Sequence, residues 1–189
     1  TESQIEKIEA KLNKLRSNGK SSPRFVWMDD EDTNYVTHHY KKRGNGKNPK
    51  GIDPGFADDP GDSTRSPNLS NGTYTWWTNK PGETAVSYQP SVTGKYRIWV
   101  SWGSGWNTHS KDAKYQLDRD GNIKTIEDRK EIAIINQQLL ANGKGMVISK
   151  PLWSGLQDCG VQEFNTSSKI LISGGQNGSA LTADLIIME

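Results

Sequence analysis

Cysteine is almost missing from this chain of 189 residues: Cys159 stands alone. An intrachain disulfide, a cysteine-ligated zinc site and an iron–sulfur cluster are thereby excluded. None is needed for folding, because a domain of this length buries roughly 70% of its unfolded surface. An excess of charge of one sign is missing too. Lys and Arg number 24 against 22 Asp and Glu, a formal charge of +2, which removes charge-driven binding to nucleic acid or membrane as the default. No run approaches the ~18 consecutive apolar residues of a membrane span. The opening residues Thr1-Glu2-Ser3-Gln4-Ile5-Glu6 are polar and acidic, unlike the basic-then-apolar start of a secretory leader. A chain that starts at Thr1 rather than Met is expected to be a piece of something longer. Apolar residues make up only 32% and Phe occurs 3 times, so much of the chain is expected to be loop. Against that scarcity stand 7 Trp, a side chain common where an apolar body must meet a polar partner.

What is present divides by period. Ile5, Ile8, Leu12 and Leu15 recur at helical spacing; Ser3 with Glu6 forms a capping box and Asn18-Gly19 a stop, which predicts a helix over 4–17. Its two heptads are short for an independent coiled coil and suit a linker or docking helix. Residues 41–72 hold most of the prolines and almost no periodic apolar residues, and read as a long irregular excursion. Short strands are predicted at 24–28, 73–78, 84–89, 95–102, 113–117, 131–135, 145–150, 160–164, 169–173 and 182–188, with Asp120-Gly121-Asn122 as a turn. Tyr96, Ile98, Val100 and Trp102 share one face of their strand, Arg97, Trp99 and Ser101 the other. No helical pattern intervenes to demand parallel crossovers, so the sheets should be mainly antiparallel and form a sandwich or barrel.

Catalytic signatures are scarce. His38 and His39 are adjacent and point to opposite faces of an extended strand, a poor chelate; no metalloprotease, nucleophile-elbow or phosphate-loop motif occurs. Cys159 is expected to be structural. The basic run from His38 to Lys50 interleaves cations with an aromatic ring, yet acidic runs flank it, and a solvated loop is the plainer reading. Carboxylates cluster at 29–32 and among Asp53, Asp58, Asp59 and Asp62, the hard-oxygen chemistry that calcium prefers. Residues 116–127 approach a calcium-loop register, but Gln116 and Lys124 break it and a turn is expected there. An acid–base enzyme built on these carboxylates is a further reading, but it needs a defined separation between two carboxyl groups.

The tryptophans say more. Trp76-Trp77 and the stretch Trp99, Trp102, Gly103-Ser104-Gly105-Trp106-Asn107-Thr108-His109 set indoles among small, hydroxyl- and amide-bearing residues. A sugar ring shows C–H groups on its faces and hydroxyls at its rim, so it calls for a flat aromatic platform with a few fixed donors and acceptors. Trp106, on a Gly-rich loop, fits that demand, with Asn107 and His109 beside it. Trp77 and Trp102 are further candidates, with core packing as the competing reading; Trp76 and Trp77 face opposite ways, so at most one joins the core.

The series Val26-Trp27-Met28-Asp29-Asp30, Trp76-Trp77, Tyr96 to Trp102, Ala113 to Leu117, Asn136-Gln137, Trp153 with Leu156, and Ala183-Asp184-Leu185-Ile186 resembles, in order, the golvesin and xanthan-lyase C-terminal-like domain family. The resemblance covers 24–188 and implies an all-β, mainly antiparallel β-sandwich of jelly-roll or galactose-binding-like type. It also implies an accessory module of secreted polysaccharide lyases, hydrolases and surface proteins that binds carbohydrate without catalysis. The excursion at 41–72 and the Gly103–Asp112 loop depart from the pattern, so no ligand specificity carries over. The resulting expectations are a helix or linker over 1–20 and a module over 21–189, with a polysaccharide and other domains of a parent protein as partners. The expected location is extracellular, periplasmic or at the cell surface. Asp29, Asp30 and Asp184 are the candidate ligands of a structural calcium. The competing reading is an interaction domain whose helix and excursion dock neighbouring domains or subunits with no glycan.

Overall fold

In the computed structural model the described residues are 25–47, 71–141, 143 and 152–189. The expected helix over 4–17, the strand at 145–150 and most of the excursion lie outside them. The described chain is all-β. In order come β1 (Val26–Met28), β2 (Val36–His38), β3 (Gly44–Lys47), β4 (Thr73–Thr78), β5 (Thr84–Tyr88), β6 (Gly94–Val100) and β7 (Gly103–Ser104). They are followed by β8 (Ala113–Asp118), β9 (Lys130–Ile135), β10 (Leu152–Trp153), β11 (Gln157–Phe164), β12 (Lys169–Ser173), β13 (Ala180–Ala183) and β14 (Ile186–Met188).

Four sheets result, ordered β1-β14-β6-β11, β2-β5-β12-β8-β9, β13-β4-β3 and β10-β7. Every strand pair is antiparallel, while two isolated bridges, Pro81 with Gly174 and His109 with Ala180, run parallel. The five- and four-stranded sheets contribute alternate residues to one core, a sandwich-like arrangement. Val86, Tyr88, Tyr115, Leu117, Ile170 and Ile172 come from the first, and Met28, Ile98, Val100, Ile186 and Met188 from the second. Each fully buried aliphatic or aromatic side chain contributes about 1.5–3 kcal/mol of transfer free energy. The opposite face of β1, β14 and β6 carries a smaller cluster of Phe25, Trp99, Leu185 and Ile187, closed by Trp153 and Leu156. This is why Trp99, on the face of β6 that turns away from the main core, is also buried.

Strands β4 and β12 keep the predicted bounds. Two expectations are corrected. The span 182–188 breaks into β13 and β14 at Asp184-Leu185, where the chain passes from the three-stranded to the four-stranded sheet. Residues 44–47, read as irregular, form β3 and ladder onto β4, with Gly44 opposite Trp76 and Lys47 opposite Thr73.

Candidate functional site

Strand alternation on β4 divides its aromatic residues. Trp77 is buried in the main core, and Thr75 is buried on the same side of the strand. Tyr74 and Trp76 turn the other way and line a cleft of about 280 Å³ together with Gly46, Trp106, Thr108, His109 and Ala180. None of these lining residues carries a formal charge at neutral pH. Two glycines make room for the phenol ring. A methyl group at Gly46 or Gly103 would run into the Tyr74 ring itself, so side-chain-free backbone is needed at both places.

The far wall is the segment between β7 and β8. It is pinned along its length. Ser179 and Ala180 donate their N–H groups to the Thr108 carbonyl at 2.9 and 3.0 Å, Ser110 N–H donates to Ala180 at 2.7 Å, and Lys111 N–H to Asn177 at 3.0 Å. The Gln138 amide donates to the carbonyls of Asn107 at 2.7 Å and His109 at 2.9 Å. Trp106, 36% exposed, thus projects from a braced loop. Its ordering cost is met on folding rather than on binding.

Burial sets the protonation of the cleft. It pushes the His109 imidazole down to about 4 against the pull of hydrogen bonds with the Gly103 and Gln137 backbone, so His109 is neutral at pH 7. Its ring stands edge-on to Tyr74 at 6.0 Å. Burial likewise raises the Tyr74 phenol to about 12, opposed by a hydrogen bond from Trp106. The cleft therefore offers an aromatic floor and wall with neutral hydrogen-bonding groups.

Of the candidate sugar-binding residues, the structure brings Trp106 and His109 into the cleft. Asn107 is exposed beside them, with its carbonyl taken by Gln138. Trp77 and Trp102 are corrected. Both lie within the core, 0% and 1% exposed, so neither has a face to offer. Their indole N–H groups are spent on carbonyls, Trp77 on Tyr40 at 3.2 Å and Trp102 on Leu139 at 3.0 Å. The cleft residues that sequence reasoning missed are Tyr74 and Trp76. The signal for Trp76 was its adjacency to Trp77, which fixes opposite faces without saying which one is inward. His38 and His39 part as expected, to the Asp30 carbonyl at 2.9 Å and the Ser87 hydroxyl at 2.8 Å. Cys159 is buried, its thiol pushed up to about 12 by burial.

Two carboxylate groups assemble elsewhere. Asp29, Asp30 and Asp184 each place an oxygen within 4.8 Å of the others, as do Asp118, Asp120 and Asp128. The second group is partly occupied, with Asp118 Oδ2 and Asp128 Oδ1 buried without a hydrogen-bond partner among the described residues. Asp128 accepts the N–H groups of Arg119 and Asp120, Asp118 that of Gly121, and Asp120 that of Asn122. The Arg129 guanidinium lies 3.9 Å from Asp118. These are the contacts of a capped turn, as expected for 116–127. In the first group, burial is the main cause raising Asp29, and it pushes Asp30 up to about 8 against the Thr75 hydrogen bond.

No protein-family model matches the chain, and no curated protein sequence does. Among solved structures, its fold is similar to part of a Paenibacillus xanthan lyase, at 16% identity and a TM-score of 0.53 over 87% of this chain. That match spans 13% of the lyase. Looser likenesses are to an exo-β-1,3-galactanase from Phanerochaete chrysosporium with galactose (10% identity, TM-score 0.40, 93% of this chain and 31% of that one). The catalytic domain of an α-1,3-glucanase in complex with tetrasaccharides is similar at 12% identity and TM-score 0.46, over 90% of this chain and 29% of that one. The last two are too loose to define a shared fold. The likeness to the lyase is one of architecture, an all-β domain of antiparallel sheets.

Proposed function

We propose that the chain is a noncatalytic carbohydrate-binding module, and that the cleft between β4 and the Trp106 loop takes a neutral sugar residue of a polysaccharide. One observation carries this reading: Trp76, Trp106 and Tyr74 wall a cleft whose hydrogen-bonding groups, among the described residues, are all uncharged. A flat ring with apolar faces and a hydroxyl rim is the ligand that such a lining satisfies best. A uronate or sulfate would meet no cation among the described lining residues. The fold likeness to part of a xanthan lyase supports the golvesin and xanthan-lyase C-terminal-like reading. It also supports a role in holding a larger secreted protein on its polysaccharide, where affinity comes from local concentration.

Affinity electrophoresis against neutral, uronate-rich and sulfated polysaccharides tests it. Retardation by a neutral polysaccharide is expected, lost in Trp106→Ala and Trp76→Ala. Because Trp106 is part-exposed, its truncation should cost no more than about 0.5 kcal/mol, a shift in melting temperature of at most about 2 °C. Retardation by sulfated polysaccharide alone, abolished by salt, would move the site to the basic run from His38 to Lys50. Binding to none of the three classes would leave the docking reading in its place.

A further inference from the structure

We propose that the His109 imidazole reads a hydroxyl of the ligand, so that the cleft selects a sugar with a free hydroxyl at one ring position and rejects its deoxy form. This inference rests on the carbohydrate reading of the cleft and names what the sugar must present there.

Most polar groups of the cleft are already engaged. The Thr108 carbonyl accepts the N–H groups of Ser179 and Ala180, and the Ala180 carbonyl accepts that of Ser110. The His109 carbonyl is taken by the Gln138 amide. The Tyr74 hydroxyl is bonded to the Trp106 side chain, and Gly46 lies within the β3–β4 ladder opposite Tyr74. Among the described lining residues, His109 Nδ1 is the one side-chain nitrogen or oxygen that is both buried and without a hydrogen-bond partner. The ring's bonds with the backbone of Gly103 and Gln137 leave that atom unanswered. His109 is 4% exposed, so bulk water does not supply the missing bond. A buried polar atom without a partner is costly, and this one belongs to a residue that lines the cleft.

The chemistry of a neutral imidazole narrows the partner. Its nitrogens donate or accept according to the tautomer, and a hydroxyl complements either role. A carboxylate or an ammonium would bring a charge into a cleft whose described lining holds no counter-ion, at the cost of desolvating it. A deoxy position offers nothing and leaves the nitrogen as it was. The ring is also held in place before a ligand arrives. His109 N–H donates to the Trp106 carbonyl at 3.3 Å, its backbone bridges to Ala180, and its ring stands edge-on to Tyr74. The bond to a hydroxyl therefore forms with little loss of side-chain freedom. Trp76 and Trp106 offer apolar surface that suits the faces of many sugars; the imidazole supplies the directional contact that tells them apart.

The test uses the full chain, with the methyl glycosides of glucose, galactose and mannose and their monodeoxy analogues as probes. Indole fluorescence reports occupancy of the cleft, and the ¹⁵N resonances of the His109 imidazole report the bond. At least one glycoside should change the fluorescence saturably and move the His109 resonances, and removing one particular hydroxyl should weaken its binding roughly 10- to 100-fold. In His109→Phe that glycoside and its deoxy analogue should bind alike. His109→Gln, whose amide can bond a hydroxyl, should keep part of the preference, and it serves should the first variant fold poorly. A saturable fluorescence change with unmoved His109 resonances would overturn the hydroxyl assignment and leave the carbohydrate reading standing. So would a preference over the deoxy form that persists in full in His109→Phe. No response to any probe would overturn the assignment as well, and if neutral polysaccharide also fails to retard the chain, the carbohydrate reading falls with it.

Discussion

Two neighbouring indoles take opposite roles on β4, and the difference is one of facing rather than chemistry. Trp77→Ala should cost about 3–5 kcal/mol, because it empties a volume inside a packed core, and a urea or thermal melt will read that loss. Trp76→Ala should leave the melt nearly intact and affect ligand retention instead. His109 gives a second prediction, in pH. Its imidazole titrates near 4 in the fold and near 6.5 in the unfolded chain, so the unfolded chain alone takes up the proton in that window. Stability from this group is therefore complete above about pH 6.5 and lost progressively as pH falls toward 4, on the order of 3 kcal/mol in all. Melting temperature against pH for the wild type and His109→Gln should diverge over that interval, with the variant flatter. Of these residues, Trp106 was legible in the sequence because glycines surround it. Tyr74 was not, since its place depends on Gly46 and Gly103, which are far from each other along the chain and meet only in the fold.

At the level of elements, β6 was readable because alternating apolar residues mark a half-buried strand whatever its partners, β4 because Thr, Tyr and Trp favour extended backbone, and β12 because Ile170-Leu171-Ile172 is a short β-branched-rich apolar run of the kind that fills a fully buried strand. The segment Gly44-Asn45-Gly46-Lys47 was not. It has no apolar residue and two glycines, and it becomes a strand because β4 supplies a ladder and the Tyr74 ring needs bare backbone beside it. Putting a methyl group at Gly46 should displace that ring, so Gly46→Ala is expected to weaken ligand retention more than it lowers the melting temperature. The break at Asp184-Leu185 was equally hidden, as no Gly or Pro stands between Thr182 and Met188 to mark it. The braced Trp106 loop depends on one buried amide donating to two carbonyls. Gln138→Ala leaves both acceptors unsatisfied, at about 1–3 kcal/mol. Calorimetry should show glycan affinity reduced by roughly tenfold through the cost of ordering the loop, with every cleft residue still present.

For the molecule as a whole, the all-β class with antiparallel pairing was legible from period and turn residues. Which sheet each strand joins was not, because it is decided by contacts between distant parts of the chain. Asp29-Asp30 and Asp184 illustrate this: nearly the full sequence separates them, and only the pairing of the first strand with the last makes them neighbours. If glycan binding belongs to the module, deleting residues 1–19 should leave retardation by polysaccharide unchanged, whereas an assembly role would be lost with them. Gel retardation and light scattering of the truncated chain would separate the two.

The pairing of β1 with β14 also fixes how the domain responds to tension. Among the described residues β1 is an edge strand held on one side by β14, and Val26, where it begins, sits beside Met188, where β14 ends. A pull between those two residues loads the rungs in succession, first Val26–Met188, then Trp27–Ile187, then Met28–Ile186. Rungs loaded one at a time yield at lower force than rungs sheared together. The strand would unzip from Val26 toward Asp29 and Asp30, and the Thr75 hydroxyl on the Asp30 carboxylate would be the next contact to resist.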